Sequence, residues 1–210
     1  MQKKKCNSSE RSAEKEKAII SAAGTRFALY GFSKVSMEEI ATDVGMGKAS
    51  LYYYFPTKES VFQAVIIEEM NEFLKETEKT LKSEMTASKK IIELVKNRFV
   101  FIQKFLNLGA LTVYSFHDPN SIYKKYLAVF EEKELEFTNA VIKEGQIKGE
   151  FSENIDPKAG ITLVHTLHGL RVRAIKRYIL PPGMNFPEAI DELQEEMNIL
   201  VKIFIKGISK

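Results

Sequence analysis

The run SMEEIATDVGMGKASLYYYF, residues 36–55, decides how the chain is read. Ser36-Met37-Glu38-Glu39 is a capping box, in which the Ser36 hydroxyl takes an orphan amide and Glu39 reaches back to the amide of Ser36. It opens a short helix whose apolar positions are Ile40, Ala41 and Val44. Gly45 stops that helix, and Gly45-Met46-Gly47 makes a turn. Lys48 to Phe55 then forms a second helix of about two turns before Pro56 ends it. Ala41 is small where two helices must cross closely, and Leu51 and Phe55, four apart, turn inward. This is the pattern of a helix-turn-helix. It leaves Lys48, Ser50, Tyr52 and Tyr53, with Tyr54 at the edge, on the outer face of a very short helix. Tyrosine can give its hydroxyl to phosphate and lay its ring on sugar or a thymine methyl, and lysine supplies charge. Solvated lysines and tyrosines partly packed against the first helix would account for the same residues.

Outward from this run the chain reads as helix throughout. A first helix is expected from about Ala13 to Tyr30, burying Ile20, Ala23, Phe27 and Tyr30, with Gly31 ending it. Thr57 caps a helix over residues 58–82. Ser88 to Asn107 carries Ile91, Ile92, Val95, Phe99, Ile102 and Leu106 on one side. A shorter segment spans Ala110 to Phe116. Asp118-Pro119 and Asp156-Pro157 are N-cap and first-turn signals for two long helices, ending near Gly149 and Leu180. Pro181-Pro182-Gly183 interrupts the chain before a last helix from Pro187 to about Gly207.

The 210 residues are 44% hydrophobic and 28% charged, which excludes a disordered or low-complexity chain. The single cysteine, Cys6, excludes an internal disulfide and a multi-thiolate zinc site and fits a reducing, cytoplasmic setting. No apolar stretch follows the basic start, and no later one reaches membrane-spanning length, so neither a secretory signal nor a spanning helix is expected. The net charge of +3 is unevenly placed. Residues 1–60 hold 10 Lys/Arg against 7 Asp/Glu, whereas residues 61–210 hold 21 of each. Positions 44–58 contain Lys48 and Lys58 and no acid, a place where a polyanion meets no repulsion.

The stretch ALYGFSKVSMEEIATDVGMGKASLYYYFPTKESVFQAVI, residues 28–66, resembles the DNA-binding region of the TetR family of bacterial transcriptional regulators. The family's Leu-Tyr-x-x-Phe-x-x-Lys signature reads here Leu51-Tyr52-Tyr53-Tyr54-Phe55-Pro56-Thr57-Lys58, with Tyr54 where His is frequent. The resemblance implies an all-α fold in which an N-terminal three-helix helix-turn-helix domain precedes a larger helical ligand-binding and dimerisation domain. The expected divisions are a flexible basic tail over 1–12, the DNA-binding domain over 13–57, a connecting helix over 58–82, and an effector-binding and dimerisation domain over 83–210. It further implies that Ser36, Lys48, Tyr52, Tyr53, Tyr54 and Lys58 meet phosphate, while Met46, Gly47, Lys48, Ala49 and Ser50 enter the major groove of operator DNA.

The last helix has a 3-4 stripe of Ile190, Leu193, Met197, Leu200 and Phe204, with Ile199, Val201, Ile203, Ile205 and Ile208 on other sides. A helix apolar nearly all round needs cover on both sides. A wholly buried central helix would satisfy that need, and so would a second subunit. The family resemblance implies that the last two helices form a homodimer interface, here expected at Leu193, Met197, Leu200 and Phe204. Nine aromatics between Phe99 and Phe137 are the material of an ordinary core or, with His117, His165, His168 and Arg171, of an effector pocket. Its expected lining is Phe101, Phe105, Tyr114, Phe116, His165, His168 and Arg171, which suits a small amphipathic molecule. No metal or cofactor is expected. The expected function is a dimeric repressor without catalytic activity, released from DNA by its effector. Two rival readings are an α-helical enzyme using His165, His168 and Arg171, and an effector-free architectural DNA-binding protein.

Overall fold

The computed structural model describes the backbone of residues 2–107, 122–179 and 186–210, and the side chains of residues 10–101, 103–104, 128–170 and 191–210. The described helices are α1 (Gln2–Tyr30), α2 (Met37–Asp43), α3 (Lys48–Tyr54), α4 (Lys58–Lys82), α5 (Ala87–Asn107), α6 (Ile122–Ile147), α7 (Ala159–Ile179) and α8 (Phe186–Ile208). The chain divides into two compact units. One comprises Met1–Glu69 with Lys104–Tyr114, the other Met70–Gln103 with Ser115–Lys210.

In the first unit α1 starts at Gln2 rather than at Ala13, so the segment expected as a tail is helical. Its charges are interleaved with good helix formers, and no Gly or Pro interrupts it before Gly24. The buried face of α1 is Ile19, Ala23 and Phe27, a 4-4 spacing; Ile20 is half-buried and Tyr30 is 56% exposed, contrary to expectation. Gly31, at φ 79°, ends α1 in a conformation that a Cβ would oppose, and a 3₁₀ turn over Phe32–Lys34 follows. The rings of Phe27, Phe32 and Phe62 meet pairwise at 5.1–5.6 Å, which joins α1, that turn and α4. Phe27 and Phe62 are buried and Phe32 is half-buried at the edge of this cluster, whose tilted and edge-on contacts add to the stability of the unit.

The second unit contains the rest of α4, α5 up to Gln103, and α6 to α8, with α7 packed on both α6 and α8. Ile91, Val95 and Phe99 are buried on α5 as the periodicity predicts, but Ile92 is 44% exposed, at the edge of that stripe. Glu150 caps α5 from a distant part of the chain, its two oxygens accepting from the amides of Ala87 at 2.7 Å and Ser88 at 2.8 Å. Burial pushes the Glu150 carboxyl upward, but those hydrogen bonds outweigh it and hold it below its ordinary range. Lys90, only 3% exposed, donates to the Leu81 carbonyl and to both oxygens of Glu144. The N-cap expected at Asp118-Pro119 and the segment Ala110 to Phe116 lie outside the described residues.

Candidate nucleic-acid interface

α2 is held by the capping box read from the sequence. Ser36 Oγ accepts from the amide of Glu39 at 3.3 Å, and Glu39 Oε2 accepts from the amide of Ser36 at 2.8 Å. The hydroxyl of Ser36 also donates to Glu39 Oε2, so this side chain is engaged within the cap. At the other end Gly45 adopts φ 65°, and the amide of Met46 reaches the carbonyl of Ala41 at 2.9 Å. The turn aims α3 so that Leu51 is completely buried and Phe55 is 6% exposed. Lys48, Ala49, Ser50, Tyr52 and Tyr53 are thereby left outside with Gly47, while Met46 and Tyr54 are half-buried. Tyr53 is 83% exposed and packs edge-on against Tyr54 at 5.4 Å. The alternative in which the tyrosines pack on a neighbouring helix does not hold for Tyr53.

Charge around α3 differs from the sequence reading at two points. The stretch 44–58 is free of acid in sequence but not in space: the Lys48 ammonium pairs with Glu38 of α2 and lies 5.8 Å from the Tyr52 ring centre. Their hydrogen bond lowers the Glu38 pKa and raises that of Lys48. Both side chains are more than half exposed, so water screens the pair and leaves Lys48 able to exchange partners. Lys58 is placed differently. Its Nζ donates to the carbonyls of Phe32 at 2.9 Å and Val35 at 3.0 Å and sits 4.4 Å from the Phe32 ring centre. Lys58 thus ties the start of α4 to the segment before α2, and its charge faces inward more than outward.

Arg26 of α1 was not legible as a functional or structural residue. It grips the end of α2 side-on, Nη2 donating to Asp43 Oδ1 at 2.8 Å and Nε to Oδ2, and its Nη1 lies 3.2 Å from Glu39. The pair links α1 to the helix that precedes the turn. The guanidinium lowers the pKa of Asp43, and Glu39 is lowered first by its bonds to Ser36 and then by Arg26.

Of the expected effector residues, Phe101, His165 and His168 have described side chains. Phe101 is buried, packed between the rings of Phe73 at 5.5 Å and Phe130 at 5.1 Å. His165 is exposed, and His168 Nδ1 lies 2.5 Å from Glu131 Oε1. The side chains of Phe105 and Arg171, and residues Tyr114, Phe116 and His117 altogether, lie outside the described residues. A cavity of about 20 Å³ lies between α4, α5, α6 and α7, lined among others by Thr77, Val95, Arg98, Glu134 and Leu167. Arg98 is 1% exposed and bonded through Nη1 to Glu134. A charge on the apolar stripe Ile91–Val95–Phe99 was the available signal for it. Among the described residues no three of His, Cys, Asp and Glu converge as a metal site.

Comparison with known proteins agrees with this geometry. The profile of the bacterial regulatory proteins of the tetR family matches residues 19–65, and that of the YsiA-like C-terminal region matches residues 66–168. The chain belongs to the TetR family. A transcriptional regulator from Cytophaga hutchinsonii has the same fold, with 38% identity over 91% of this chain and 97% of its own, at a TM-score of 0.83. The fatty acid metabolism regulator protein of Bacillus subtilis is 25% identical over 138 residues, 66% of this chain and 71% of that one. The structure of FadR from Bacillus subtilis, in complex with stearoyl-CoA, superposes with a TM-score of 0.62 at 21% identity, covering 91% of this chain and 98% of that one. This TetR-family chain is a ligand-responsive, DNA-binding transcriptional regulator. Among its described residues no helix is long and apolar enough to cross a membrane.

The last helix of this TetR-family protein corrects the expected stripe. Leu193 and Met197 are 4% and 1% exposed, covered within their own protomer together with Val201 and Ile208. Leu200 and Phe204 are half-buried at the margin. Among the described side chains of α8, the large apolar residues left outside are Ile199 at 51% and Ile203 at 65%, one turn apart on another face. Periodicity located two apolar faces but not which of them looks inward.

Proposed function

We propose that this TetR-family protein is a repressor that binds a two-half-site operator as a homodimer and leaves it when an amphipathic effector enters the second unit. The observation that carries the reading is the outer face of α3, where Tyr53 is 83% exposed beside Tyr52 and Lys48 on a helix seated by a wholly buried Leu51. Exposed aromatic rings on a two-turn helix are costly in water, whereas against DNA the rings meet sugar and the hydroxyls bond phosphate. In this reading Lys48, Tyr52, Tyr53 and Tyr54 meet phosphate, and Met46, Gly47, Ala49 and Ser50 approach base edges. Ser36 and Lys58 support the motif from inside, Ser36 as cap and Lys58 through its two carbonyls.

The dimer forms through the face of α8 that carries Ile199 and Ile203, with Leu200 and Phe204 at its edge. A dimer grips two half-sites only when its recognition helices are about 34–36 Å apart, one turn of DNA, or a multiple of it. An effector that favours another separation releases the operator. The stearoyl-CoA complex of the Bacillus subtilis regulator supports a largely apolar effector with a polar head. Such a protein acts in the cytoplasm and has no catalytic role; the exposure of His165 and the pairing of His168 with Glu131 speak against a shared catalytic pocket.

Footprinting on the DNA upstream of its own gene tests the proposal. Protection of two half-sites about one helical turn apart is expected; binding without any preferred sequence would replace the repressor with the architectural reading.

A further inference from the structure

The buried guanidinium of Arg98 has an unused edge. Glu134 accepts from Nη1, and the Phe130 ring lies 5.2 Å from the guanidinium carbon. Among the described residues no group accepts from Nε or Nη2, and none pairs with the hydroxyl of Thr77, which is also 1% exposed. Arg98 and Thr77 both line the cavity described above, whose other walls include Ile91, Val95, Leu163 and Leu167. A buried donor without an acceptor is costly, and one guanidinium edge presents two of them side by side.

The shape of the missing acceptor is written elsewhere in the same chain. Arg26 uses its Nε and Nη2 to hold both oxygens of the Asp43 carboxylate, a planar two-point contact. We infer that the Arg98 cavity is the head-group site for the effector, and that it takes the carboxylate of an otherwise apolar organic acid. The acid's two oxygens accept from Arg98 Nε and Nη2, the Thr77 hydroxyl adds a third donor, and the hydrocarbon follows the aliphatic wall. This rests on the effector reading above and narrows it to a chemical class. A guanidinium can serve two carboxylates at once because its five N–H groups point in different directions. A cavity of about 20 Å³ admits little more than the head-group oxygens, so the tail displaces side chains as it enters. Binding is thereby coupled to a rearrangement of the second unit, as an inducer requires.

Titration of the full-length protein with sodium decanoate and with 1-decanol, followed by calorimetry, tests the inference. Decanoate is expected to bind about tenfold more tightly than decanol, since only the acid offers two acceptors to the edge. Arg98→Lys keeps a charge for Glu134 but loses the two-point edge, and should reduce that preference to near unity without weakening decanol. The double variant Arg98→Met/Glu134→Leu removes the whole pair in favour of apolar volume and should do the same while remaining folded. Equal binding of acid and alcohol, no binding of decanoate, or a preference that survives in either folded variant would overturn it. The same titrations with operator DNA present separate the two claims. Arg98-dependent binding of decanoate that leaves DNA affinity unchanged would sustain the carboxylate site and refute its role as effector site.

Discussion

Arg26 and Asp43 lie on different helices and are joined side-on, Nη2 to Oδ1 at 2.8 Å and Nε to Oδ2, with Glu39 3.2 Å from Nη1. The contact links α1 to the last turn of α2, just before the glycine that redirects the chain into α3. Its consequence is a pH dependence with a definite sign. Asp43, Glu39 and Glu38 all have pKa values lowered in the folded protein, Asp43 by Arg26, Glu39 by Ser36 and Glu38 by Lys48. A lowered folded pKa contributes stability that is present above the unfolded value and is lost as pH falls through the folded one. The first unit should therefore keep its stability at neutral pH and lose it below about pH 4. Thermal melts of wild type and Arg26→Ala across that range check this: the variant should melt lower at pH 7, and the two curves should converge in acid. Parallel curves at all pH values would remove the clamp from the account.

Gly45 and Gly47 should respond oppositely to substitution. Gly45 sits at φ 65°, and Gly45→Ala should cost about 1–2 kcal/mol through backbone conformation alone, since nothing lies within 4 Å of the added Cβ. Gly47 has φ −70° and ψ 149° as the N-cap of α3. Gly47→Ser should be neutral or stabilising, because its hydroxyl gains a helix-capping bond. Urea denaturation measures both.

The two lysines of the motif should separate stability from binding. Lys58→Met loses two bonds to carbonyls and a ring contact, and should destabilise the protein by about 1–2 kcal/mol after allowance for partial exposure. Lys48→Ala should leave the melting temperature near that of wild type, weaken DNA binding, and reduce the salt slope by about one. Melting curves and fluorescence anisotropy distinguish them. An unchanged stability for Lys58→Met would show that its bonds contribute nothing.

On α8, Ile203→Glu should give a folded monomer, because Ile203 is 65% exposed in the protomer. Met197→Ala, at a site 1% exposed, should cost about 2–5 kcal/mol instead. Sedimentation and denaturation read the two effects. A dimer that survives Ile203→Glu would place the interface on another face.

What the sequence disclosed follows from the range of each interaction. The capping box, the glycine turn and the inward Leu51 are local chemistry, set by residues within a few positions of one another, and they appear where the residues predict. Arg26–Asp43 and Arg98–Glu134 join residues 17 and 36 apart, and no periodicity relates their partners. Lys48 carried the same limitation: positions 44–58 contain no acid, yet Glu38 arrives from the preceding helix. For α8, hydrophobic spacing identified apolar stripes, but only packing against the rest of the unit distinguishes Leu193 and Met197 from Ile199 and Ile203. The charge of the segment before Ala13 points to a solvated tail, whereas its helix-forming residues and lack of breakers decide its backbone.

The central claim, that the outer face of α3 holds DNA, is tested most directly by anisotropy titration of an upstream duplex with wild type and Tyr53→Ala over a range of salt. Tyr53 is 83% exposed, so truncating it should leave the fold and melting temperature near those of wild type. The account predicts salt-dependent binding by the wild type and a loss of about tenfold in the variant, equivalent to roughly 1.4 kcal/mol. Equal affinity of the two proteins, or wild-type binding insensitive to salt, would contradict it.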